Sequence, residues 1–269
     1  GFAWTDLLER ARRRYTRSTQ RGIGPQRQSV EICPKRLVTL DLHSDALHPD
    51  GPVNPLHWTT LCAFHMLRGG ESSAALASRL SVDAVNHTES FMLPKSKMDT
   101  QGQGCIRTWG CVCGDTCHLA GSLCPYNAAV MIRRDLVRRF GDHTGALDPS
   151  LPLFPNAQCL PSTRDGYVAT IAHFADALCI NPVDSLGRNT IGEHVWRVSG
   201  SRLLARADVP LTQIALMARW GSEVILRYIA EAPLDRITES FASSHRSAPP
   251  TIRSDRYSAA ANLQTPATA

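Results

Sequence analysis

Apolar residues recur with a helical period in most stretches of this chain, and one stretch reads as extended runs about a turn. Residues 1–16 set Leu7, Leu8 and Ala11 ahead of an arginine run, which predicts a helix. Gly22, Gly24 and Pro25 end it, and RQSVEICPKRLVTLDLHSDALHPDGPVNP reads as a linker leading into short irregular structure. LHWTTLCAFHML, residues 56–67, is apolar nearly all round and predicts a buried helix. ESSAALASRL can resume that helix after Gly69 and Gly70.

The character changes over residues 89–109, where two extended runs flank the turn-rich KMDTQGQG, a hairpin signal. Helical spacing returns in YNAAVMIRRDLVRRF (126–140), with arginine pairs opposite the apolar face; these arginines read as a solvated or backbone-contacting face. DHTGALDPSLPLFP is loop, and a helix follows with Ser162 or Thr163 near its start. Three more helices are predicted, at about 193–207, 211–218 and 222–231. Beyond Pro233 the period fades, and residues 242–269 are rich in Ser, Ala, Thr and Pro, as disordered tails are. The fold class expected is α+β and mainly α, with one small β-hairpin or sheet.

Composition and charge narrow this. At 269 residues, with 43% hydrophobic and 20% charged residues, the chain can bury a real core. No apolar run approaches the ~20 residues that a membrane-spanning helix needs, so no membrane role is expected. The net charge of +5 is unevenly placed: residues 1–36 hold nine Lys/Arg against three Asp/Glu. Such an arm suits a polyanion, because phosphate contacts release counterions; a merely solvated basic segment is the alternative.

The nine cysteines are odd in number and scattered, and no secretory signal precedes them, so an intracellular, reducing compartment is expected: nuclear if eukaryotic, cytoplasmic if bacterial. Cys111, Cys113, Cys117 and Cys124 fall close together, beside His118. Four thiolates could hold zinc tetrahedrally, but the spacing matches no common zinc motif, so the segment reads as a cysteine-rich surface loop with no metal assigned. No Walker loop, Rossmann glycine set or HExxH motif is present.

Cleaving a phosphodiester without a metal needs a nucleophile, cations on the non-bridging oxygens and an acid for the leaving oxygen. Arginine suits the clamp, since its planar fork is always charged and binds phosphate bidentately. Four segments offer these parts: MLRGGESSAAL (66–76), LPKSKMDTQGQG (93–104), GEHVWRVSG (192–200) and ARWGSEVILRYI (218–229). In this order they resemble the tyrosine recombinase (phage integrase) superfamily, in particular divergent eukaryotic mobile-element members, and the resemblance spans roughly residues 25–235.

The resemblance implies a catalytic domain over 26–240, a basic helical remnant of an amino-terminal DNA-binding domain over 1–25, and a tail over 241–269. On this reading the chain is a fragment. Arg68 and Arg197 would be clamp arginines, with Glu71 as the acidic companion of Arg68. Lys97 would be the hairpin lysine, His194 and Trp220 would support the phosphate, and Tyr228 would be the nucleophile. No ATP, other cofactor or catalytic metal would be required. The partner would be double-stranded DNA, with a homo-tetramer assembled on two duplexes.

Three features depart from the family pattern. The usual glycine before the clamp arginine is missing from MLR, Trp220 and Tyr228 are eight residues apart where nine is commoner, and the cysteine-rich segment is not standard. Two alternatives therefore stay open: a type IB topoisomerase-like nicking and closing enzyme, or a decayed DNA-binding relic in which Tyr228 packs with Val224, Ile225 and Ile229 as a core aromatic.

Overall fold

The apolar run at residues 56–67 folds as expected and organises the rest. In the computed structural model, which describes residues 5–20, 28–40, 45–93, 104–113 and 123–220, it forms α3 (Pro55–Phe64), third in order after α1 (Asp6–Gln20) and α2 (Pro34–Leu37). Trp58, Leu61, Cys62 and Ala63 on α3 are all buried. The described side chains of α1 are almost all exposed, and Arg12 on it pairs with Glu9 at 2.6 Å.

α3 packs against α5 (Pro125–Phe140) and α7 (Val195–Arg206). The crossing with α7 is close because Gly200 permits it: a Cβ there would lie 1.9 Å from the carbonyl oxygen of Ala63. From α5 the buried face is Ala128, Ala129, Ile132 and Leu136, spaced at three and four residues as one helical face requires. Trp58 meets Trp196 of α7 edge-on, with ring centroids 5.5 Å apart. α6 (Arg164–Ala177) begins at Thr163, whose hydroxyl accepts the Gly166 N–H at 3.1 Å.

The stretch ESSAALASRL does not continue as one helix. It divides into α4 (Gly69–Ser73), a 3-10 turn at Ala77–Arg79 and a strand, β1 (Leu80–Asp83). β1 adds to the expected hairpin, β2 (Thr88–Leu93) and β3 (Cys105–Gly110), as an antiparallel sheet of order β1-β2-β3. Leu80 pairs with Phe91, and Phe91 with Arg107. The register puts Glu89, Phe91 and Leu93 on the buried side of β2. Glu89 is accommodated there by His65, whose Nε2 lies 2.7 Å from its carboxylate.

The segment expected as a linker is partly core. Ile32 and Leu37 are fully buried, the Ile32 N–H donates to the Ser199 hydroxyl of α7 at 3.0 Å, and Glu31 accepts from Arg202 at 3.1 Å and from Arg206. Arg138 on α5 is exposed as expected, whereas Arg139 is half-buried and differs from expectation. Both donate to Asp135, Arg139 reaches Asp45 at 2.8 Å as well, and the carboxyl of Asp135 titrates below its usual range despite burial. Arg133 and Arg134 are exposed, as a solvated face should be. α8 (Leu211–Met217) is the last described helix, and none of the described helices is long and apolar enough to cross a membrane.

Candidate active site

Three of the expected site residues, Arg68, His194 and Arg197, converge beside one carboxylate. Arg68 stands at the N-cap of α4, where its own backbone N–H donates to Glu71 Oε2 at 2.9 Å. Glu71 is thereby fixed one turn into the helix, and its carboxylate also lies 3.7 Å from the Arg68 guanidinium. From the other side, Nη2 of Arg197 reaches both Glu71 oxygens at 3.1 Å. The pair is deeply placed, with Arg197 2% and Glu71 7% exposed, whereas Arg68 is 29% exposed.

The approach to Arg68 explains the missing glycine of MLR. α3 ends in a left-handed turn at Met66 (φ 49), where the Leu67 N–H returns to the Cys62 carbonyl at 2.9 Å and the Met66 N–H to Ala63 at 3.2 Å. This is the helix-ending motif that usually employs glycine. Here a methionine adopts it, and its side chain is fully buried against Leu204, Ile214 and Ala218. Gly69 then passes close under Tyr167 of α6: a Cβ there would fall 2.1 Å from the ring.

His194 is the N-cap of α7 and Arg197 lies one turn into it, so both come from the same helix start. Burial lowers the His194 pKa below its ordinary 6.5, and the positive charges of Arg68 and Arg197 lower it further. The ring is therefore neutral at pH 7 and available as a proton acceptor. His194 also lines an open polar cleft of about 700 Å³ that includes Ser29, Arg164, Asn189 and Glu193. Burial pulls the Arg197 pKa down and Glu71 opposes that shift, and arginine remains charged throughout. Its Nε is buried and has no acceptor among the described residues.

A third guanidinium belongs to this cluster and was not anticipated. Arg219 is 11% exposed and lies 3.0 Å from Glu71 Oε2. It sits in a left-handed turn (φ 58) just beyond α8, with the Trp220 N–H bonded to Ala215 O at 3.0 Å and its own to Leu216 O at 3.2 Å. That reversal turns its side chain back to Glu71. The sole sequence cue was an arginine immediately before Trp220.

Trp220 is half-buried against a small apolar cluster that includes Met66, Leu204 and Ile214. Lys97 and Tyr228 lie outside the described residues, as does Cys117. Of the described tyrosines, Tyr167 stands beside Glu193, and burial together with that carboxylate pushes its phenol pKa up. A phenol so shifted stays protonated, the opposite of what a nucleophile needs.

Among the described residues, the guanidiniums of Arg68 and Arg197 share the single carboxylate of Glu71, and Arg219 pairs with it as well. The arrangement fits an anion with several equivalent oxygens, such as a phosphodiester.

No protein-family model matches the chain, and no curated protein does. Among solved structures, the chain is similar to the XerH site-specific recombinase bound to palindromic difH substrate in a post-cleavage complex. The TM-score is 0.54 at 10% identity, covering 84% of this chain and 56% of the other. The pre-cleavage complex of XerH with difH gives 0.52 at 10% identity, covering 82% and 56%. The chain thus spans a little over half the length of those structures. At this identity the likeness is one of fold: mainly helical, with a small antiparallel sheet.

Proposed function

From a tyrosine-recombinase-like fold that brings Arg68 and Arg197 onto one carboxylate, we propose that this chain cleaves and rejoins DNA strands through a 3′-phosphotyrosyl intermediate, in site-specific recombination or integration. The observation that carries the reading is the cluster itself. Arg68 and Arg197, from distant parts of the chain, share Glu71 beside a neutral His194.

In this mechanism the Tyr228 phenol oxygen attacks the scissile phosphorus, and its proton passes to the neutral ring of His194. Arg68 and Arg197 hold the charge that builds on the non-bridging oxygens. The bond from phosphorus to the 5′-oxygen breaks, and Lys97 protonates that oxygen as it leaves. Trp220 packs beside the phosphate and offers its indole N–H. A 5′-hydroxyl from a second strand then attacks the phosphotyrosine, releasing Tyr228 and joining the new partners. Bond energy is conserved in the intermediate, so the scheme calls for neither ATP nor a metal. Exchange between two duplexes requires four protomers.

Covalent trapping tests this. The protein is incubated with a pool of random duplexes carrying 5′-bridging phosphorothiolates, whose leaving thiol does not religate. A denaturation-resistant DNA adduct is expected, and Arg68→Ala or Arg197→Ala should lower its rate by about 10²–10³-fold, the cost of one electrostatic stabiliser. Binding of the pool with no adduct would replace the proposal with a DNA-binding relic.

A further inference from the structure

Three cysteines of the cysteine-rich segment fall among the described residues and stand together. Cys111 follows directly on β3, Cys113 stands two residues on, and Cys124 is the N-cap of α5. Cys124 is fully buried and the other two are half-buried. Their three sulfur atoms all lie within 4.8 Å of one another, with Cys111 and Cys124 at 3.8 Å. We propose that Cys111, Cys113 and Cys124 bind a thiophilic metal ion, Zn²⁺ in the cell, which fastens the end of β3 to the start of α5.

Three observations point the same way. The first is the spacing. Sulfurs held about 2.3 Å from a tetrahedral zinc lie about 3.8 Å from one another, and a disulfide would bring two of them to about 2.05 Å. The Cys111–Cys124 separation matches the metal geometry. The second is what surrounds the sulfurs. Asn127, buried in the first turn of α5, donates its side-chain N–H to the Cys113 sulfur at 3.3 Å. A donor of that kind orients a thiolate ligand and stabilises its charge. Cys124 itself sits at the positive end of a 16-residue helix, where negative charge is favoured.

The third observation is mechanical. The Cys111 N–H returns to His87 O at 2.8 Å, at the β1–β2 turn, and the His87 ring stacks on Tyr126 of α5 at 5.4 Å. Sheet and helix therefore already meet at this corner, and one ion would tie them covalently. An all-sulfur donor set selects zinc over magnesium or calcium. The ion would serve the fold, because it stands at the opposite end of β3 from the connection whose sequence carries Lys97.

The test is metal content and cobalt spectroscopy on the whole chain, purified under reducing conditions without chelator. One equivalent of zinc is expected. Cobalt added to the reduced apo-protein should give a sulfur-to-cobalt charge-transfer band that zinc abolishes, its intensity reporting how many thiolates bind. Cys113→Ser and Cys124→Ser should each lose the metal, and Cys179→Ser, at an exposed site elsewhere, should keep it. If Cys124→Ser fails to fold, the half-buried Cys113 variant and the loss of thermal stability on chelating the wild type still decide. A folded, reduced protein with no zinc and no cobalt–thiolate band overturns the proposal. So does full metal retention in the Cys111→Ser, Cys113→Ser double variant, or a Cys111–Cys124 disulfide in freshly isolated protein.

Discussion

Glu71 is the residue on which the site turns, because it is the counter-charge that lets Arg197 be buried at all. A guanidinium 2% exposed without an anion would carry a desolvation cost that its neighbours could not offset. Glu71→Ala should therefore destabilise the fold by about 3–5 kcal/mol, the usual consequence of orphaning a buried ion. Chemical denaturation measures it, and a loss under ~1 kcal/mol would mean that Arg197 does not depend on Glu71. His194 gives a second test. Its folded pKa lies below its ordinary 6.5, so the native ring resists protonation that the unfolded chain accepts. Stability linked to this ring is present above pH 6.5 and is lost as the pH falls through the depressed value. An NMR titration of the His194 ring should show the depressed pKa, and Arg68→Ala should raise it towards the ordinary value by removing a nearby positive charge. Arg68, His194 and Arg197 could be singled out because each sits in a short motif with fixed internal spacing, and the structure brings the three together. Arg219 could not be, since its reach to Glu71 depends on a backbone reversal that no motif encodes.

Among the elements, how the helices end matters as much as where they lie. α3 and α8 stop in the same left-handed turn, with Met66 and Arg219 where glycine is usual. Neither stop could be read from a glycine, although the expected spans of α7 and α8 lie close to those observed. The turns also aim the site: one leads into Arg68, the other carries Arg219. At φ 58 a side chain strains the backbone, so Arg219→Gly should be more stable than Arg219→Ala by about 1 kcal/mol, the reverse of their order inside a helix. Equal or opposite stabilities in urea unfolding would contradict the left-handed geometry. β1 was missed for a different reason. Its alanine-rich approach has good helical propensity, and only pairing with β2, such as Leu80 with Phe91, draws it into a sheet. LSVD does alternate apolar and polar residues, but four residues are too few to outweigh the helix-favouring alanines before them.

For the whole molecule, the fold gathers parts that are distant in sequence: Arg68 and Glu71 after α3, His194 and Arg197 at the start of α7, Arg219 after α8. The mainly helical class and the hairpin were legible in the periodicity, and the order of the motifs suggested which segments would meet. The pairing of Arg197 with Glu71 was not legible, because a burial-driven ion pair between residues 126 positions apart has no local signature. Nor was the packing of Glu31 and Ile32 against α7, since polar and apolar residues alternate there too briefly to separate an ordered segment from a linker.

The central claim is that Tyr228 becomes bonded to DNA, and peptide mapping of the trapped adduct tests it most directly. After nuclease and trypsin digestion, cleavage beyond Arg227 releases YIAEAPLDR, residues 228–236, which contains a single tyrosine. The account predicts that this peptide carries the residual nucleotide mass and that Tyr228→Phe gives no adduct, while Tyr167→Phe still forms one. Nucleotide on the peptide that spans residues 165–188, which holds Tyr167, would contradict it.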